Sequence, residues 1–498
     1  MSGAKVGVFG QVTSLGLGMA SMALLARLLS PEDFGLFAMA SGVVAFLTVL
    51  VETGFPYALT QREGLRADQA STFFWFLSLS ALTACAVGWG IAIPLGWILG
   101  RDELSGAIIA LSCTLPLNAL GMTHAVLLRR QIMQGVIVSI AISSSLVSTC
   151  AAVACAWLEF GWWSLIVQAL VASAARCAGY WWFCDWRPGM PSRGTGIRSL
   201  IRTGSVWSSS EFTGLVRRSA DQLLVGWWWG AEVLGFYSRG MALATLMLTN
   251  GVMPMTAAIW PALAQIQSNP ERLRSAVLQA SEVICFVAVP SCVFLTVCAQ
   301  MVVAILLGAQ WDECTHIMQV SLVGMLFAST LGPVSGLYAA ATGKVRALAR
   351  LSWISVLIGL TTMLAALPFG PLAVASVLSI VAISVSFLGL RLVMERSGIG
   401  SLEIVRCLAW PLGCSLVAST ATSLVIAIMP GGTPALLRLA VAGVAMSLAY
   451  SGVWCISRRG RSHFVRMISL ALGARRARIA VDFAHWLATR PGAWRRGM

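Results

Sequence analysis

The sequence predicts an all-α polytopic membrane protein: about fourteen transmembrane helices, forming two six-helix bundles and two extra helices. Three observations predict it. Of 498 residues, 58% are hydrophobic and 11% charged, against roughly a quarter charged in a soluble domain. The chain divides into apolar runs of about 20 residues, the length a bilayer core requires. Two segments 200 positions apart also read alike: LLARLLSPEDFGLFAMA at 24–40 and LVGWWWGAEVLGFYSRG at 224–240. Glu32 matches Glu232, Gly35 matches Gly235, and Phe37 faces Tyr237. A weak internal repeat of this kind marks transporters built from two related bundles.

The spans follow in order. The first, 6–29, carries Gln11, Thr13, Ser14 and Ser21; a break at 30–34 leads into 35–60. Four more, at 71–99, 105–128, 136–158 and 162–184, complete a first bundle over 1–184, with Arg176 inside the sixth. The linker 185–202 holds Pro188, Gly189, Pro191, Gly194 and Gly196, which break helix. The second bundle, 203–391, comprises 203–229, 233–260, 276–306, 316–342, 347–368 and 371–391. Helices 13 and 14 occupy 406–456, at 406–429 and 434–456. The breaks at 30–34 and 230–234 are six spans apart, so the copies share one orientation and the bundles are related by an axis along the membrane normal. A second echo pairs Ala58-Leu59-Thr60-Gln61 with Ala262-Leu263-Ala264-Gln265.

The net charge of +15 follows the loops. With the N-terminus in the cytoplasm, 27 of the 34 basic residues lie on that side, ten of them tail arginines. Only Arg27, Arg101, Arg239 and Arg438 fall on the far side. This is the positive-inside pattern, and it predicts both termini in the cytoplasm. The tail, 457–498, alternates basic and apolar residues, as an interfacial helix on anionic phospholipid does. Nucleic acid is the weakest reading of the charge. Tryptophans at span ends, Trp181, Trp186, Trp311 and Trp454 among them, read as an aromatic belt. The thirteen cysteines and four histidines form no metal or disulfide spacing, and no cofactor is expected. Motifs for ATP binding or hydrolysis are absent, so no enzyme is expected.

Charge inside a bilayer costs about 2.5–3.5 kcal/mol per residue and marks functional sites. Span 7 concentrates it: Glu211, Arg217, Arg218 and Asp221. At 1.5 Å per residue Arg217 lies about 20 Å along the helix, past mid-membrane. Such a helix lines a water-filled cavity. Two readings stand. In one, Arg217, Arg218 and Arg176 attract an anionic group, a phosphate or acidic sugar, while Asp221 and Glu211 balance them or carry a coupling proton. In the other, Arg217 and Asp221, one turn apart, form a structural ion pair. The repeat pairs Glu211 with Gln11 and Asp221 with Ser21, so Gln11, Ser14 and Ser21 form a milder cavity-lining face. Glu52 and Glu282 lie near span ends and are expected in water.

Five segments carry a family resemblance: ARLLSPEDFGLFAMA (26–40), WRPG (186–189), DQLLVGWWWGAEVLGFYSRGMALATLML (221–248), LLGAQWDECTHIMQV (306–320) and AATGKVRALAR (340–350). With them the chain resembles bacterial polysaccharide-export flippases of the Wzx type, in the multidrug/oligosaccharidyl-lipid/polysaccharide exporter superfamily. The resemblance implies transfer of an undecaprenyl-pyrophosphate-linked oligosaccharide across the inner membrane, by alternating access around a central cavity. It implies a polysaccharide polymerase and a chain-length regulator as partners. Arg217 and Arg218 fit the family's basic cavity residues by position, although no fixed motif transfers them. Alternatives are a cation-coupled drug or metabolite antiporter of the same superfamily, and a membrane glycan polymerase or transferase.

Overall fold

The computed structural model describes residues 2–52, 66–192, 197–247, 252, 255–256, 270–341, 345–394, 401–430, 432–456 and 461. Outside the described residues lie linker positions 193–196, nearly all of the 457–498 tail and both halves of the second echo. The side chains of Gln11, Glu52 and Glu211 also lie outside them.

The described residues form helices in the expected order. They are α1 (Ser2–Leu28), α2 (Pro31–Glu52), α3 (Ala67–Leu99), α4 (Asp102–Arg130), α5 (Gln134–Trp157) and α6 (Trp163–Phe183). Then come α7 (197–229) and α8 (231–247), continuous but for a kink at Gly230. The remainder are α9 (Pro270–Val297, with a short extension Ala299–Leu306), α10 (Glu313–Ala341), α11 (Val345–Ala366), α12 (Pro371–Met394), α13 (Ser401–Ile428) and α14 (Ala435–Ile456). Among the described residues nine helices are long and apolar enough to cross a membrane. This is the all-α polytopic architecture read from hydropathy.

The two matching breaks use different chemistry. Before α2, Ser30 is the N-cap: its Oγ accepts from the Asp33 N–H at 3.2 Å, and Asp33 Oδ2 accepts from the Ser30 N–H at 2.9 Å. This reciprocal capping box, with Pro31 opening the helix, stops α1 and starts α2. Between α7 and α8 the same position is Gly230, at φ 86°, ψ 177°, a conformation that only glycine adopts at little cost.

The chain forms two compact units. The first gathers residues 1–239, 306–314 and 352–377. Within it α5 packs along α1 and α6, and α4 packs against α3 and α6. The repeat segments meet each other directly. A Cβ on Gly35 would overlap the Ala231 carbonyl, and a Cβ on Gly235 would overlap the Pro31 carbonyl. The contacts are reciprocal at the 200-residue offset, so the two copies are related by a local two-fold. Absence of a side chain lets the backbones touch, as at small-residue helix crossings in membranes. Trp311 seals this seam. It is fully buried, donates its indole N–H to the Ala26 carbonyl at 2.9 Å, and meets Phe34 and Phe236 edge-on at 5.3 and 5.8 Å. The belt reading of Trp311 is thereby corrected, since its N–H partner is backbone from the interior. Trp181 and Trp186 are corrected likewise: both pack on the fully buried His124, at 4.4 and 5.2 Å between ring centroids.

The second unit gathers residues 240–305, 315–351 and 378–498. Within it α13 lies between α9 and α14. Cys414, Ala418, Met446, Tyr450 and Trp454 form one buried cluster, and the Tyr450 hydroxyl donates to the Phe286 carbonyl at 3.2 Å. Arg274 bridges both oxygens of Glu403. Helices 13 and 14 are thus docked on α9 by an apolar core, with Trp454 in it and not in a belt.

Candidate functional site

The charged helix α7 owes its course to Gly230 below it and to Asp221 inside it. Asp221 is buried. Its Oδ1 accepts from the Gln222 N–H at 2.7 Å, and its Oδ2 accepts from the Tyr237 hydroxyl at 3.2 Å. The carboxylate therefore ties α7 to α8 across the kink. Among the described residues no carboxylate oxygen lies within 4.0 Å of Arg217 or Arg218; the ion pairs are Arg66–Asp68, Arg101–Glu32 and Arg274–Glu403. Arg217 and Asp221, one turn apart, make no ion pair within 4.0 Å, and the Asp221 oxygens are hydrogen-bonded to Gln222 and Tyr237. Arg217 and Arg218 are both exposed, with the Arg218 guanidinium folded back along the helix toward Gly214. On a helix that the sequence reading places across the membrane, two cations without a carboxylate within 4.0 Å call for water or an anion beside them.

Arg176 belongs to a different place. It stands between two cavities inside the first unit, of about 500 and 230 Å³. Asn118, Ser173 and Arg176 line both. Among the described residues no side chain of α7 lines either, so the structure does not join Arg176 to Arg217 and Arg218 there. The larger cavity lies among α2, α4, α5 and α6 and is walled by hydroxyls and amides, including Ser41, Thr48, Ser144, Ser148 and Gln168. The smaller one reaches Arg129 in the last turn of α4.

The remaining expected residues divide. Ser14 is exposed on α1. Ser21, expected to line a cavity, is buried behind the wall: its Oγ accepts from Thr149 Oγ1 at 3.0 Å and Gln168 Nε2 at 2.7 Å. A hydroxyl facing lipid or core seeks partners on neighbouring helices, and α5 and α6 supply them. Glu282, expected in water, has its Oε2 enclosed with no hydrogen-bond partner among the described residues. Sequence reasoning missed Asn118, Gln168 and the serines of α5. The available signal was the run SSSLVST at 143–149 inside an otherwise apolar span.

Comparison with known proteins bears on the family and the fold. The family model for a polysaccharide biosynthesis protein matches residues 24–316. The succinoglycan biosynthesis transport protein ExoT of Rhizobium meliloti (strain 1021) is 26% identical over 61% of this chain and 62% of its own length. The chain thus spans less than two thirds of that relative. The lipopolysaccharide biosynthesis protein WzxC of Escherichia coli (strain K12) is 24% identical over 68% of this chain and 69% of its own. Among solved structures, the lipid II flippase MurJ in an inward closed conformation superposes with a TM-score of 0.70 at 14% identity, covering 90% of this chain and 98% of that one. An inward-facing multidrug resistance MATE family transporter gives 0.59 at 15% identity, over 77% and 94%. At such identities the likeness is one of fold, a pair of pseudo-symmetric helical bundles. The chain belongs to the polysaccharide biosynthesis protein family.

Proposed function

We propose that this protein is a flippase that moves an undecaprenyl-pyrophosphate-linked oligosaccharide across the bacterial inner membrane, for lipopolysaccharide or exopolysaccharide synthesis, by alternating access. The observation that carries the reading is the pair Arg217 and Arg218, exposed on α7, which the sequence reading places across the membrane, with no carboxylate within 4.0 Å among the described residues. A pyrophosphate-sugar head cannot cross hydrocarbon unaided. Guanidinium groups match its oxygens with paired hydrogen bonds and offset the loss of hydration. The names of relatives, for succinoglycan, lipopolysaccharide and teichuronic acid synthesis, support the substrate class. The step is transport, with no substrate bond made or broken. Both termini lie in the cytoplasm, the 1–184 and 203–391 bundles alternate access, and the basic tail rests on anionic phospholipid. A polysaccharide polymerase and a chain-length regulator receive the product.

The test is a deletion strain complemented with wild type or with Arg217→Gln/Arg218→Gln, scored for surface polysaccharide and for lipid-linked intermediate on the cytoplasmic face. The double variant is expected to insert normally, lose surface polysaccharide and accumulate the intermediate. Normal export by the double variant would sink the reading.

A further inference from the structure

The local two-fold extends to a second pair of contacts, and there the two copies differ in charge. In one half of the seam the Met39 and Leu234 side chains meet over Gly226: a Cβ on Gly226 would lie 2.8 Å from Met39 Cγ and 2.9 Å from Leu234 Cδ2. Met39 and Leu234 are both fully buried. In the other half, at the 200-residue offset, Arg239 takes the place of Met39 and Phe34 that of Leu234. The Arg239 guanidinium lies over the Phe34 ring at 4.8 Å, and the same ring meets Trp311 edge-on. One contact is apolar on apolar; its mate is a cation on an aromatic face.

The cation is poorly matched to its place. Arg239 Nε is enclosed and has no hydrogen-bond partner among the described residues, and no carboxylate oxygen lies within 4.0 Å of the guanidinium there. A guanidinium brings donors and no acceptor, so an enclosed N–H without a partner costs free energy. The aromatic face returns only part of that cost. Methionine fills the equivalent position of the first copy without it. We propose that Arg239 is a positioning residue for transport: it weakens one half of the closed seam, so that the two copies part within reach of substrate binding. A ligand moves an equilibrium only by its differential affinity for the two states. A seam closed by two backbone contacts, Trp311 and an apolar side chain in both halves would outweigh that affinity. The weakening rests on the seam; its use in transport rests on the flippase reading.

The experiment pairs two readouts: thermal unfolding of the full-length protein in nanodiscs, and surface polysaccharide in the complemented deletion strain. Arg239→Met gives both halves the same apolar contact. It is expected to raise the unfolding midpoint by about 2–4 °C and to lower export about ten-fold, stability and function moving in opposite directions. Met39→Arg is expected to lower the midpoint. The exchange Met39→Arg/Arg239→Met moves the cation to the other half and is expected to restore export to within about two-fold of wild type, since the two-fold makes the halves equivalent. Arg239→Lys keeps the cation and is expected to keep wild-type midpoint and export. An arginine that only supports packing predicts the reverse for Arg239→Met, a lower midpoint. The proposal is overturned if Arg239→Met lowers the midpoint or leaves it unchanged, if it raises the midpoint with export intact, or if Arg239→Lys behaves as Arg239→Met does. Should Arg239→Met fail to insert, Arg239→Leu takes its place with the same expected signs. Normal export by the α7 double variant rejects the flippase reading and leaves the raised midpoint standing.

Discussion

The two copies of the repeat have the same scaffold and different polar contents. Position 35 and position 235 are both glycine, and each receives the backbone of the other copy. Ser21 and Asp221 are both buried, and both hold neighbouring helices by accepting hydrogen bonds. Where the second copy carries Arg218, the first has Gly18, with open space around it. Where the first is capped by Ser30, the second bends at Gly230. The difference teaches that the packing positions tolerate little change, while the positions facing open space are where charge was placed. Asp221 belongs to the first class and its neighbours Arg217 and Arg218 to the second, although all three look alike as intramembrane charges.

The sharpest way to break the comparison is at the glycines. Gly35→Val places a branched side chain on the Ala231 carbonyl and is expected to cost about 3 kcal/mol or more. Gly235→Val should match it, because the contacts are reciprocal; thermal unfolding of the purified variants checks both, and unequal losses would reject the two-fold relation. Next is exchange of charges, Arg217→Asp with Asp221→Arg. A structural ion pair would survive the exchange. Here Asp221 serves Tyr237 and Gln222, so export is expected to be lost as fully as in either single variant, read as surface polysaccharide. Tyr237→Phe removes the α7–α8 tie and is expected to cost about 1 kcal/mol, the scale of interhelical hydrogen bonds in membranes. The smallest effect belongs to Ser30→Ala, about 1 kcal/mol or less through loss of the cap. It touches only the first copy and has no counterpart at Gly230.

Much of the fold was legible because hydropathy and loop charge are local properties. The spans around 71–99 or 434–456 need only an apolar run and a polar boundary. Gly35 and Gly235 were visible as identities, yet their reason is contact between backbones that no sequence window contains. Trp311 lies beside a span end, which suggested a belt; only the approach of Ala26, Phe34 and Phe236 makes it an interior residue. At the site, Arg217, Arg218 and Arg176 stood out because charge is rare in apolar runs. Their separation into two places did not, since spacing along the chain says nothing about which helices face one cavity. Ser144, Ser148 and Asn118 were hidden for the opposite reason. Hydroxyls that satisfy their own helix sit in apolar spans at little cost, and their acceptor lone pairs become visible only when several helices turn them toward one space.

The reciprocal glycine contacts have a further consequence for motion. Each copy supplies both a groove and a ridge, so neither contact can part while the other stays closed unless the local two-fold is lost. Intermediate separations leave both backbones without their neighbour and Trp311 without its pocket. Parting the two copies would therefore cost both backbone contacts and the Trp311 pocket together, not one after the other.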